Sequence, residues 1–319
     1  MPLLKIDADD AVPVLHGAGN PDTVLNSVLD AALAQLPPGA PVVVMIHGFK
    51  FAPGVDGNCP HRHILSLTPD VGGVKAVSWP RHLGFGRDHG PEGLCIAFGW
   101  NARGTIWQAW RQAAQAGVAL ADLLGRIQAR RAGPVDMLAH SLGARVALAA
   151  MGALPAHSIG RAVLMMAAEY QSTAAQAMLS AAGRTAEVFN VTSRENDLFD
   201  ALAEWAVRAP KRGDRTLGAG LGVQASNWID IQFDCPEVRN ALAGIGYRIP
   251  PPARRICHWS AYLRPGLFGL YRDLFRDRNA LPLACLRSAL PQTRAPRWTR
   301  LRPLALLMPA RGLGHAKLQ

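Results

Sequence analysis

No stretch of this 319-residue chain approaches the roughly 18 consecutive apolar residues of a membrane-spanning helix. Its alanine-rich stretches are each broken by Arg, Gln or Glu. The opening residues, Met1-Pro2-Leu3-Leu4-Lys5-Ile6-Asp7, lack the basic segment and apolar core of a secretory signal. Cysteines are few, odd in number and widely spaced: Cys59, Cys95, Cys235, Cys257 and Cys285. A disulfide framework is therefore not expected, and free thiols in a cytoplasmic protein are. In an exported form Cys59 and Cys95 would be the pair to test. Acidic residues are missing from 279–319, a stretch with six Arg and one Lys. That segment supplies +7 of the net charge of +11. The body is thus only mildly basic and has no aromatic–basic stacking motif, which argues against nucleic acid as a partner. The segment reads as an irregular, Pro- and Leu-rich basic tail, with contact to an anionic membrane as its sharper alternative.

Apolar residues make up 49% of the chain, enough for a sizeable core. Short β-branched runs alternate with amphipathic segments, the rhythm of a parallel sheet covered by helices. Strands are expected at 42–46, 94–98, 135–138, 162–167, 187–191 and 229–233, and helices at 23–36, 105–130 and 144–154. Between 49 and 93 the order breaks, and Gly, Pro and His accumulate. One α/β domain over 1–278, with an insertion at 49–93 and a tail at 279–319, accounts for the whole chain.

One segment carries chemistry: Leu138-Ala139-His140-Ser141-Leu142-Gly143-Ala144, between an apolar strand and a helix of small residues. A serine hydroxyl needs exposure at a sharp strand-to-helix turn, a neighbouring base and an oxyanion site before it becomes a useful nucleophile. The turn is so tight that residues two before and two after the serine must be small, and here they are Ala139 and Gly143. Ala139 departs by one methyl from the usual glycine. Upstream, Ile46-His47-Gly48-Phe49-Lys50 closes a strand where a second oxyanion donor belongs. The amides of Phe49 and Leu142 are the assigned pair. The bland alternative for each segment is an ordinary turn.

These two motifs resemble those of the α/β-hydrolase superfamily. The stretch Ile96-Ala97-Phe98-Gly99-Trp100-Asn101, the long helix after it and the Ala-His-Ser-Leu-Gly elbow resemble a little-characterised bacterial esterase- or lipase-like branch. The resemblance covers residues 40–275 and implies a doubly wound, mostly parallel sheet with helices on both faces. It also implies a chain order of serine, acid, histidine. Asp197, after the strand ending near Val191, stands where the acid is kept, with Glu169, Glu195 and Asp200 as rivals. His258 is the base, since the other downstream histidine, His315, lies in the tail. His140 is expected to pack beside the elbow.

Cys59-Pro60-His61-Arg62-His63 holds three residues of metal-ligand type without a second cluster, and reads as a polar loop rather than a zinc site. The insertion overhangs the site as a mobile lid or a rigid flap, and 209–227 is a further rim candidate. The expected chemistry is hydrolysis of a small ester with a hydrophobic acyl group, needing neither metal nor organic cofactor. Acyl transfer or amide cleavage by the same residues is the near alternative. A non-catalytic scaffold using the basic tail is the distant one.

Overall fold

The computed structural model describes residues 3–18, 22–70, 72–87, 92–291 and 294–301. The apolar runs form one eight-stranded sheet: β1 (Leu3–Asp9), β2 (Val12–Leu15), β3 (Val42–Ile46), β4 (Leu94–Gly99), β5 (Val135–His140), β6 (Ile159–Met165), β7 (Glu187–Thr192) and β8 (Trp228–Gln232). Their order is β2-β1-β4-β3-β5-β6-β7-β8, with every neighbouring pair parallel except the β1–β2 hairpin. The helices are α1 (Asp22–Ala34), α2 (Trp79–His82), α3 (Ile106–Gln128), α4 (Gly143–Ala153), α5 (Gln171–Met178), α6 (Ala181–Thr185), α7 (Asp197–Ala206), α8 (Pro236–Gly244), α9 (Ser260–Leu263), α10 (Leu267–Arg276) and α11 (Leu283–Ala289).

Because side chains alternate across a strand, the central strands must be apolar on both sides, and two cores result. Val42, Val44 and Ile46 of β3 join Met137 and Ala139 of β5 under α1, α3 and α4. Val43 and Met45 join Leu138, Val163 and Phe189 beneath α2, α8, α9, α10 and α11. The expected doubly wound sheet, helices on both faces, is what the chain forms. Helix α3 starts where Thr105 and Gln108 make a reciprocal cap, each side chain bonding the other's backbone N–H at 3.3 and 2.8 Å. No described helix is long and apolar enough to cross a membrane.

Two features depart from the sequence reading, the N-terminal hairpin and the tail, and a third, the insertion, takes the rigid one of its two alternatives. The N-terminal hairpin leaves little trace in the sequence because β1 lies near the sheet's edge and buries only Leu4 and Ile6. The insertion anchors itself in the second core through Ile64, Leu65, Trp79, Leu83 and Phe85. Arg276 of α10 clasps the carbonyls of Leu83 and Gly84 at 2.7 and 3.1 Å. Its described part is therefore a packed flap, with an exposed tip at Gly72–Lys75. Part of the described tail is ordered onto the body. Leu283, Leu286 and Leu290 fall on one face and seat α11 on the second core, while Arg294 and Arg297 pair with Asp230 and Glu204. His315 lies outside the described residues. All five cysteines are free, Cys59 and Cys95 included.

Candidate active site

Strand β3 has β4 on one side and β5 on the other, so the chain reverses its direction of travel across the sheet there. Such a switch point opens a crevice at the strands' carboxyl ends. His47-Gly48 leaves β3 at this place and Ser141 leaves β5. Ser141 has φ of +55°, a left-handed conformation that a residue with a side chain adopts at a cost of ~1–2 kcal/mol. Its own backbone secures it: Ser141 N–H donates to Met165 O at 2.9 Å, and Ser141 O accepts from Ala144 and Ala168 N–H at 3.0 and 3.1 Å.

The demand for small residues is now visible. A methyl at Gly143 would lie 2.6 Å from the carbonyl oxygens of Ile46 and His47. One at Gly48 would lie 2.8 Å from Ser141 Cβ and 2.9 Å from His140 O. The His-Gly turn and the elbow thus pack backbone to backbone. His47 holds the turn in place: Trp100 N–H donates to its Nε2 at 3.0 Å, its Nδ1–H donates to Gly48 O at 2.9 Å, and Trp100 Nε1–H donates to His47 O at 3.0 Å. Complete burial drives its pKa down to about 3, so the ring stays neutral. Lys50 N–H is taken by Ala102 O at 2.8 Å. Among the described residues, neither Phe49 N–H nor Leu142 N–H donates to another protein group.

Two of the three side chains expected at the centre meet there. His258 Nε2 lies 2.9 Å from Ser141 Oγ. His258 lies on the turn before α9, where His140 Nε2–H holds its carbonyl at 3.0 Å and Cys257 N–H bonds Glu195 O at 2.9 Å. The third, Asp197, does not reach it. Behind His258, Nδ1 faces Asn196 Oδ1 at 2.6 Å. An amide oxygen only accepts, so Nδ1 carries the hydrogen and Nε2 presents its lone pair to the serine hydroxyl.

The reason lies in the tight turn Arg194–Asn196, where about three residues complete a revolution and neighbours point apart. Glu195 turns to Arg264 at 2.5 Å and Ser193 at 3.1 Å. Asp197, the first residue of α7, turns to Arg194 at 3.1 Å and accepts Trp298 N–H at 2.6 Å. Glu169 is held by Arg145 at 2.5 Å, and Asp200 is buried beside α7's other acids with its Oδ2 unpartnered. None of Glu169, Glu195 and Asp200 forms a side-chain hydrogen bond or ion pair with His258. Burial, then the nearby His140 and Lys75, holds the His258 pKa well below the ordinary imidazole value. Burial takes His140 down to about 4.

Phe199 of α7 stacks on His258 at 4.6 Å, Trp259 meets both rings edge-on, and Lys75 of the insertion lies over Trp259 at 3.2 Å. Ser141 is only 5% exposed beneath this cover. Elsewhere, one group of described residues has a cation-binding donor set. Asp7 accepts from His16 Nδ1 at 2.7 Å and His61 Nε2 at 2.6 Å. His61 of the Cys59–His63 segment is thus buried against the N-terminal hairpin rather than on a polar surface loop.

No protein-family model matches this chain, and no curated protein matches it.

Proposed function

We propose that the protein is a serine hydrolase of carboxylic esters in which Ser141, His258 and Asn196 act as the triad. The reading rests on one observation: a nucleophile-type serine in a strained elbow, 2.9 Å from an imidazole whose far nitrogen is fixed at 2.6 Å by an acceptor. Ser141 Oγ attacks the ester carbonyl as His258 Nε2 takes its proton. The tetrahedral oxyanion is held by Phe49 and Leu142 N–H. His258 then protonates the departing alkoxide, leaving the acyl group on Ser141. Water attacks the acyl carbon, His258 again removes the proton, and the carboxylic acid leaves as Ser141 recovers its hydrogen. Asn196 keeps the imidazole in the right tautomer and orientation. It lends no negative charge to the imidazolium that forms. The aromatic surround of Phe199 and Trp259 favours an ester with a hydrophobic acyl group.

The test is hydrolysis of p-nitrophenyl esters from acetate to palmitate by wild type and Ser141→Ala. Loss of a nucleophile that acts together with its base is expected to lower kcat by about a thousandfold or more. Equal activity in both proteins removes Ser141 from the mechanism. Silence in both, together with failure of a fluorophosphonate to label Ser141, removes the hydrolase reading.

A further inference from the structure

Helix α7 is inverted relative to an ordinary surface helix. Its inner side buries Asp197 and Asp200, 1% and 3% exposed, against Arg194 and Arg297. Its outer side shows Leu198, Leu202 and Trp205 to solvent at 37%, 50% and 85%. These three are spaced by four and three residues, so they form one stripe. Soluble helices place such residues inward. Here the inner side of the helix buries carboxyl groups, Asp197 paired with Arg194 and Asp200 lying near Arg297 and Arg194, and its apolar face is turned out.

The placement of the helix gives the stripe a use. It begins one residue after Asn196, at the carboxyl end of β7, and Phe199 in its first turn stacks on His258. Its far end is tied in two places. Tyr170 OH, just beyond β6, donates to Val207 O at 2.5 Å, and Trp107 Nε1–H, in the first turn of α3, donates to Ala206 O at 2.6 Å. Since α3 follows β4, the helix runs across the carboxyl edge of the sheet from β7 towards β4, over the ground where β5 delivers Ser141. Ten residues at ~1.5 Å each span ~15 Å, about three strand spacings. The stripe therefore faces away from the sheet at the rim of the site. Trp107, 54% exposed, extends it at the tied end.

The unpaired charge next to the stripe is basic, since Glu204 is taken by Arg297 and Arg215, and Asp214 is bonded to Ser172. Arg208, Lys211 and Arg212 follow α7 directly and are exposed, and none pairs with an acid among the described residues. Lys75 is exposed over Trp259, which touches both Phe199 and His258, beside Val74 at 82% exposure. Apolar side chains that insert, an indole that favours the headgroup level, and flanking cations together match one kind of surface.

We propose that the outer face of α7, with Arg208, Lys211 and Arg212, docks on an anionic lipid surface and sets the mouth of the Ser141 site against it. That the docked enzyme draws an acyl ester from the surface rests on the ester-hydrolase reading. The docking itself does not.

The experiment is co-sedimentation of the full chain with vesicles of ether-linked lipids, which offer no ester to cleave. One set mixes phosphatidylglycerol with phosphatidylcholine and the other is phosphatidylcholine alone. Expected are binding to the mixed vesicles, a loss of about tenfold or more in Leu202→Ser/Trp205→Ser, and about fivefold for each of Arg208, Lys211 and Arg212 changed to Gln. Hydrolysis of soluble p-nitrophenyl acetate should stay unchanged in the Leu202→Ser/Trp205→Ser protein, which also reports that it has folded. No binding, equal binding to both vesicle types, or equal binding by the double variant overturns the proposal. So does a wild-type dimer that becomes a monomer in the double variant, since a second copy of the chain would then occupy the face. Vesicle binding by a protein inert towards every ester would keep the docking and dismiss the hydrolase.

Discussion

Asn196→Asp places a carboxylate 2.6 Å from His258 Nδ1 without changing side-chain volume. Once the imidazole is protonated, the two charge centres are about 4 Å apart, worth about 4 kcal/mol at an effective dielectric of 20. Burying the new carboxylate with little else to bond takes back ~1–3 kcal/mol. A net ~2 kcal/mol remains, equal to a rise of about 1.5 in the His258 pKa and about 30-fold in the stabilisation of the imidazolium. In the wild type, burial keeps His258 deprotonated well below the usual imidazole range, so kcat/KM should show no protonation limb near neutrality. A raised pKa means that activity falls as pH drops through it. The variant should therefore acquire an acid limb shifted upward by one to two pH units, and a plateau above it higher by about 10- to 30-fold. The assay is kcat/KM for a p-nitrophenyl ester across the acid-to-neutral range, with circular dichroism to verify folding. A folded variant with the wild-type profile and plateau would refute the claim that residue 196 faces His258.

Asp197→Asn is the counterpart, because Asp197 pairs with Arg194 and not with His258. Kcat/KM should stay within about threefold while urea unfolding reports a loss of ~1–3 kcal/mol; a fall of a thousandfold would restore Asp197 as the triad acid. Asp200 is buried with an unpartnered oxygen, and that burial lifts its pKa to about 7 despite Arg297 and Arg194. The folded protein therefore holds the proton more tightly than the unfolded chain, whose aspartate titrates near ~4. Stability contributed by this group is present below that value and is lost as pH rises to about 7. Asp200→Asn should gain ~1–2 kcal/mol over wild type at pH above ~7, and the gain should shrink on acidification. A gain independent of pH would show that the carboxyl does not titrate in this interval.

The sheet was legible because burial on both faces leaves runs such as Val42–Ile46 no polar position, and the structure returns that strand at the same residues. The elbow was legible because close backbone contact restricts residue size at 143. The N-terminal hairpin was not, since β1 exposes alternate residues and writes only a weak pattern. Asn196 was hidden for another reason. Glu195, Asn196 and Asp197 are consecutive, and sequence says which of them ionise but not which direction each faces on a turn of three. The chemical expectation of a charged acid selected Asp197, whereas the turn sends the neutral amide to the histidine. The inverted α7 is the same lesson on a larger scale. Its apolar spacing announces a buried stripe, and only Arg194 and Arg297 waiting on the inside reveal that the polar side is the one interred.

His47, His140 and His258 lie within one cluster around Ser141, each buried deeply enough to stay uncharged. With Asn196 rather than a carboxylate behind His258, the side chains hydrogen-bonded in line with Ser141 Oγ carry no formal charge. On the ester-hydrolase reading, most of the electrostatic work then falls to backbone dipoles, which titrate with nothing and are fixed by the fold before a substrate arrives. Dissolved ions screen such a short-range, water-poor arrangement weakly. On the ester-hydrolase and docking readings, salt would thus govern where this molecule sits far more than how fast its serine reacts once there, separating the control of location from the control of chemistry.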